Sequence, residues 1–314
     1  MIILYVFLLN SLGTRVYFKI KSKEMKSTKL LTLCALGAIV MSSCHKTNPY
    51  NTNHPDHGKI EVVVDWSDLK EEHIGIPEKY TIYVEGETST ISTNEKIFPT
   101  LIEPGERSIL IYSTTEKIKL DPENSTAEVP VNDFVISGNI GRLYTFMLKN
   151  VLIEADKVIK VEGKMESQVR KLEIILNVKD VSSSNIEIDD KTASLTGVAS
   201  KWDYETNTAE SEAVVRPEFK VYNDDEFRAS VELLGIFPKS ANGQNLSFGL
   251  IYNDIINKKE VTINIDLTRF MESFNESKNI PMILKCNVLG INGEIAEWEI
   301  GEVGNDSQVI QWPD

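Results

Sequence analysis

"RKLEIILNVKD", residues 170–180, sets Leu172, Ile174, Leu176 and Val178 on one face of an extended chain. An apolar residue at every second position is the period of a strand with one dry face and one wet face, not of a helix. The same period recurs on both sides. In "FRASVELLGIF" (227–237), Ala229, Val231 and Leu233 oppose Arg228, Ser230 and Glu232. In "KEVTINID" (259–266), Val261, Ile263 and Ile265 oppose Thr262 and Asn264. In "PMILKCNVLG" (281–290), Leu284, Cys286 and Val288 alternate with Lys285 and Asn287. Upstream, "KIEVVVDW", "KYTIYVEG", "SILIYST", "RLYTFMLKN" and "KVIKVEG" are rich in β-branched and aromatic residues, with turn residues after them. No strands alternate with long helices, so a parallel α/β sheet is disfavoured and antiparallel sheets packed as sandwiches are expected.

Helix is scarce. The best candidate in the body is "DLTRFMESFNES" (266–277), where Asp266 caps and Leu267, Phe270, Met271 and Phe274 fall at helical spacing. That stripe reads as core packing. A second, shorter turn of helix is expected in "SDLKEEHIGIP", ending before Pro77. "EGKMESQVRK" (162–171) is polar and separates two clusters of strands. It divides the body into an N-terminal sandwich over 59–165 and a C-terminal sandwich over 166–314, each of ordinary domain size. The fold class is therefore all-β, with two sandwich domains and one short helix in the second.

The N-terminus carries an address. From Met25, Lys26 and Lys29 precede twelve mostly apolar residues, Leu30 to Met41, and then Ser42, Ser43 and Cys44. A basic start, an apolar run and small residues form the layout of a secretory signal peptide over 25–43. The run is too short to cross ~30 Å of hydrocarbon, which takes about 20 residues. A cysteine directly after small residues resembles the bacterial lipobox. On that resemblance cleavage falls between Ser43 and Cys44, and Cys44 takes the lipid. Met41 stands where leucine is usual. Residues 1–24 are read as translation upstream of a start at Met25, and both segments are expected as helix. After Cys44, "HKTNPYNTNHPDHG" (45–58) is polar and aperiodic, a tether of residues 44–58 leading to the first strand.

Charge narrows the partners. The 314 residues carry 33 basic and 47 acidic groups, a net of −14. The first 43 hold six of the bases and one of the acids, so residues 44–314 carry 27 against 46, a net of −19. Such a body repels nucleic-acid phosphates, and no nucleic acid is expected as a partner. The three cysteines are Cys34, Cys44 and Cys286. Only Cys286 lies in the body, so there is no disulfide framework and no zinc spacing, and Cys286 reads as a buried thiol.

Catalytic signatures are missing. There is no nucleophile elbow, no phosphate-binding glycine loop and no zinc-protease helix. His73 is the only histidine beyond the tether, and it reads as a loop residue. His54, Asp56 and His57 in "HPDH" and the acids of "YNDDEF" are solvated stretches without the ligand spacing of a zinc or calcium site. The carboxylate pairs in "IEIDDK" solvate a surface. No enzyme activity, cofactor or metal is expected.

Several segments taken in order resemble the FimB/Mfa2-type fimbrial anchor lipoproteins of Bacteroidales and the related fimbrillin-like families. They are Cys44 with its tether, "HGKIEVVVDWSDL", "LIEPGERSILIY", "KTASLTGVAS", "NLSFGLIYND", "EVTINIDLTRFM" and "GEIAEWEIGEV". The resemblance spans 44–314 and implies two transthyretin-like sandwiches on a lipid tether in the outer membrane, exposed at the surface. It also implies assembly into a fimbria by strand donation. Stalk subunits of that kind lose an N-terminal strand after an arginine. No arginine lies between Cys44 and Gly58, so a base or accessory subunit that holds a stalk subunit fits this chain better. The alternative is a surface glycan-binding lipoprotein of a nutrient-uptake system. Its aromatic platform would come from Trp66, Trp202, Tyr204, Trp298 or Trp312, with Trp202 and Tyr204 of "KWDYET" the foremost pair. An open apolar sheet edge favours the first reading. Exposed coplanar aromatics favour the second.

Overall fold

A computed structural model describes residues 3–9, 15–21, 56–69, 76–93, 95–179, 186–223, 225–253, 258–276, 278–289, 294–302 and 308–310. All the regular elements among them are strands. They run β1 (Ile3–Leu9), β2 (Arg15–Lys21), β3 (Lys59–Asp65), β4 (Lys79–Val84), β5 (Glu87–Ser92), β6 (Gly105–Thr114), β7 (Lys119–Asp121) and β8 (Thr126–Glu128). Next come β9 (Val131–Asn132), β10 (Val135–Ile136), β11 (Leu143–Ile153), β12 (Val158–Lys164), β13 (Glu166–Ser167), β14 (Arg170–Lys179), β15 (Ile186–Asp203) and β16 (Thr208–Val215). The last are β17 (Lys220–Asn223), β18 (Glu226–Leu233), β19 (Asn245–Asn253), β20 (Lys258–Asp266), β21 (Met282–Leu289), β22 (Glu294–Glu302) and β23 (Gln308–Ile310).

Residues 1–51 form one unit and 52–314 another. In the first, β1 and β2 make an antiparallel hairpin. This corrects the expectation of helix over 1–24. In "RVYFKIK", Val16, Phe18 and Ile20 alternate with Tyr17 and Lys19, a β-branched and aromatic mix that suits a pleated strand. The signal segment 25–43 and most of the tether lie outside the described residues.

The second unit holds two apolar cores. The smaller is built from residues 60–165, including Ile60, Ile82, Phe98, Ile109 and Ile111, each 1 % exposed or less. It lies between an antiparallel five-stranded sheet, in order β13-β11-β6-β4-β5, and a parallel pair, β12-β3. The larger core lies between a six-stranded sheet, β17-β18-β14-β21-β22-β23, and an eight-stranded one. The latter runs β20-β19-β15-β16-β10-β9, with β8 pairing β15 and β7 pairing β8. Residues 172–178 behave as their period dictates. Leu172, Ile174, Leu176 and Val178 are fully buried, and so are Leu284 and Val288. Ile118, Ala127 and Ile136, from the first half of the chain, belong to the larger core.

Residues 266–276 are not a helix. They close as consecutive turns, with N–H groups of Phe270 and Phe274 bonded three residues back. Thr268, Ser273 and Asn275 are weak helix formers, and the Thr268 and Asn275 side chains are bonded instead to the backbone of Gln244 and Ile236. The Arg170 guanidinium ties the end of the turns to β14 through the carbonyls of Ser273, Phe274 and Ile280 at 2.8–3.0 Å. The apolar stripe still packs inward, with Leu267, Met271 and Phe274 fully buried.

Candidate functional site

Ser43 and Cys44 lie outside the described residues, as do His54, His73 and Trp312. His57 Nδ1 lies 3.0 Å from Asp56 Oδ1. Among the described residues no three His, Cys, Asp or Glu side chains gather as metal ligands would. Cys286 is buried, and burial pushes its thiol well up from the ordinary range.

Trp202 and Tyr204 do not form a surface platform. Trp202 is fully buried, its Nε1 donates to Gln168 Oε1 at 3.2 Å, and the Lys278 ammonium sits 3.2 Å from the ring centroid. Tyr204 is 6 % exposed and donates to the carbonyl of Asp121 at 3.4 Å. The cause is topological. At Trp202, β15 is flanked by β16 on one edge and β8 on the other, opposite Ala209 and Ala127. Those small residues leave room for the indole. With three residues each, β7 and β8 are too short to show a period in the sequence. Trp66 is also in a core, edge-on to Tyr144 at 5.7 Å.

The open feature is in the smaller sandwich. The parallel pair β12-β3 runs in register from Val158↔Lys59 to Lys164↔Asp65 with no shift. It begins with the Lys59 N–H on the Lys157 carbonyl at 2.8 Å and ends with the Met165 N–H on the Asp65 carbonyl at 2.9 Å. In a parallel ladder alternate residues turn their N–H and C=O to the partner. The odd-numbered residues of β12 therefore face β3, and those of Val158, Lys160, Glu162 and Lys164 face away. The far edge of β3 is occupied: the Val62 N–H bonds the Lys96 carbonyl at 2.6 Å, and the Phe98 N–H bonds the Ile60 carbonyl at 2.9 Å. No described strand pairs the far edge of β12.

Burial along β12 follows the same alternation. Val161 is buried, but Ile159 and Gly163, on the same inward face, are only half-buried. Across from them on β11, Phe146, Leu148 and Val151 also pack on the smaller core while half-buried. Gly163 abuts the Phe146 ring so closely that no Cβ fits there. The outward face carries the Lys160–Glu162 ion pair, and Lys164 Nζ is bonded to Asp68 at 2.9 Å. The result is a seven-residue strand with one unpaired edge beside a half-covered apolar strip. A strand laid along that edge would find backbone donors and acceptors at alternate residues and a dry face to complete. "KVIKVEG" reads as a strand from its period. That it stands at an edge depends on which strands pair with it, and no local signal carries that.

No protein-family model and no curated protein matches the chain. Solved structures do. The chain is similar to a candidate adhesin from Bacteroides ovatus, with TM-score 0.52 and 11 % identity over 81 % of this chain and 96 % of that one. It is similar to a candidate polysaccharide-binding protein from Bacteroides thetaiotaomicron, with TM-score 0.51 and 8 % identity over 81 % and 98 %. The fimbrial anchor protein Mfa2 from Porphyromonas gingivalis, of the type that the sequence motifs resemble, aligns with TM-score 0.49 and 13 % identity over 81 % and 98 %. The two Bacteroides likenesses establish the fold: this all-β arrangement is theirs.

Proposed function

We propose that the chain is a non-enzymatic outer-membrane lipoprotein, lipidated on Cys44 after cleavage at Ser43, that serves as a base or accessory subunit of a fimbria. It holds a stalk subunit by accepting that subunit's extended segment along β12. The observation that carries this reading is the unpaired edge of β12 beside the half-buried Ile159, Phe146 and Leu148. Main-chain hydrogen bonds supply affinity in such an addition, and alternate side-chain pockets supply register. The fold shared with a candidate adhesin supports a role at the cell surface. A lipid at the first mature residue fixes that end to the membrane, so the chain acts as acceptor rather than donor.

The body is proposed as two transthyretin-like sandwiches, 59–165 and 166–314, with residues 119–136 of the first lent to the large sheet of the second. The glycan-binding alternative loses the platform it named, because Trp202 and Tyr204 are in the core.

The test is capture of the native lipoprotein from outer membranes after labelling with an alkynyl fatty acid. A fimbrial stalk subunit should co-purify, and Cys44→Ser should abolish both the label and membrane retention. A Cys44→Ser protein that keeps the label, or a wild-type protein that brings down no fimbrial subunit, would sink the reading.

A further inference from the structure

We propose that a groove at the edge of the larger sandwich binds a carboxylated saccharide of one or two rings. The groove has a volume of about 430 Å³, within the range of small-molecule sites, and lies among β17, β18 and the residues just after β10 and β16. Ile175 and the exposed Val221 are among the apolar residues that line it.

Tyr222 supplies the aromatic contact. It is 59 % exposed, and the Arg228 guanidinium lies 3.5 Å from its ring centroid. Arg228 is in turn ion-paired with Glu226. This stack holds the ring by one face and leaves the other for the apolar side of a sugar ring. Arg216 and Lys220 also line the groove, and among the described residues neither is in an ion pair. Glu173, on the same wall, is paired with Lys171 at 2.5 Å. Two uncommitted cations beside an aromatic ring suit a ring that bears a carboxylate, and Arg216 offers the planar fork that takes a carboxylate through two bonds.

Hydroxyl partners are at hand in Glu218, Ser230 and Asn139. The loop that brings Asn139 is fixed. Gly138 takes φ +64°, and Lys117 Nζ donates to the Asn139 carbonyl at 2.6 Å. The net charge of the chain is negative, but screening over about 8 Å at physiological salt leaves the local cations to decide.

A peptide strand fits this place less well. β17 has four residues, opens with Lys220, and its pairing with β18 shifts register between Val221 and Asn223. Short length, an edge lysine and a bulge are the devices by which sheet edges resist pairing. β12 pairs with β3 over seven residues without a shift.

The test is calorimetric titration of the full chain with digalacturonate and with the same disaccharide reduced to its neutral form. The carboxylated sugar should bind, more weakly as salt rises, and the neutral one at least about tenfold more weakly. Tyr222→Ala and Arg216→Ala should each weaken binding about tenfold, whereas Tyr222→Phe, which keeps the ring, should bind as wild type does. Equal binding of the two sugars, no binding of either, or unchanged binding in Tyr222→Ala would overturn the proposal. So would binding of an extended Glu-Val-Glu-Val peptide where the sugar fails.

Discussion

Arg170 and Lys278 are two buried cations in the larger sandwich, and they act differently. Arg170 is fully buried, with three carbonyls from the 273–280 turns on its guanidinium and the Phe274 ring 5.2 Å away. Arg170→Met should therefore lower unfolding stability by about 3 kcal/mol in urea titration, because buried carbonyls lose a charged donor. A loss under about 1 kcal/mol would show that the turns hold themselves. Lys278 is 8 % exposed, donates to the carbonyls of Gln168 and Leu234, and lies on Trp202. Burial holds its ammonium well below the ordinary 10.5. Between that lowered value and 10.5 the unfolded chain binds more protons than the folded one, so this group makes stability rise with pH across that window. The stability of wild type relative to Lys278→Met should then improve as pH is raised toward 10.5. A difference independent of pH would contradict this. At this scale the sequence speaks unevenly. Leu172 to Val178 announce their burial by period alone. Trp202 does not, because the groups that lie against it, Gln168 and Lys278, are far away in sequence.

Edges and turns depend on contacts distant in sequence, whereas strands are set locally. The longer strands of the body are legible, since period two survives local irregularity, whereas β7 and β8 are too short to show it and β1 and β2 stand where helix is expected. The helix expected over 266–277 does not form among the described residues 266–276: its apolar spacing is real, but Thr268, Ser273 and Asn275 are weak helix formers, and the first and last of them bond backbone elsewhere. Spacing specifies which residues go inward and does not by itself specify the hydrogen bonds that carry them there. β12 shows the converse: its period marks it as a strand, and its unpaired edge is visible only once β3 is seen to take the other side. That asymmetry gives a clean variant. The Glu162 N–H faces away from β3, so Glu162→Pro should leave the β12–β3 ladder and the unfolding midpoint nearly intact. It should also remove a donor from the free edge and cut recovery of a bound fimbrial subunit at least about tenfold. Ile159→Pro, which breaks the ladder, is the contrasting control and should destabilise the fold itself. If Glu162→Pro captured its partner as well as wild type does, β12 would not be the acceptor.

The whole molecule combines a strongly acidic body with an apolar strip on one sandwich and a cation-lined groove on the other. Its two cores are not consecutive in sequence. The chain leaves the smaller sandwich after β6, adds β7 to β10 to the large sheet, and returns with β11. The larger core thereby includes Leu110, Ile136 and Leu143 beside residues 169–288, which ties the two sandwiches by more than one crossing. Neither sandwich can open without disturbing the other, a tie that would serve the proposed base subunit under load. The proposed acceptor is the edge of β12, which receives a strand from a fimbrial subunit. The direct test places a photo-cross-linking side chain at Lys160, irradiates intact outer membranes and sequences the adduct. A covalent link to an extended terminal segment of a fimbrial subunit is expected, absent when the same group is placed at Lys239. An adduct to no fimbrial subunit, or equal cross-linking from both positions, would contradict it.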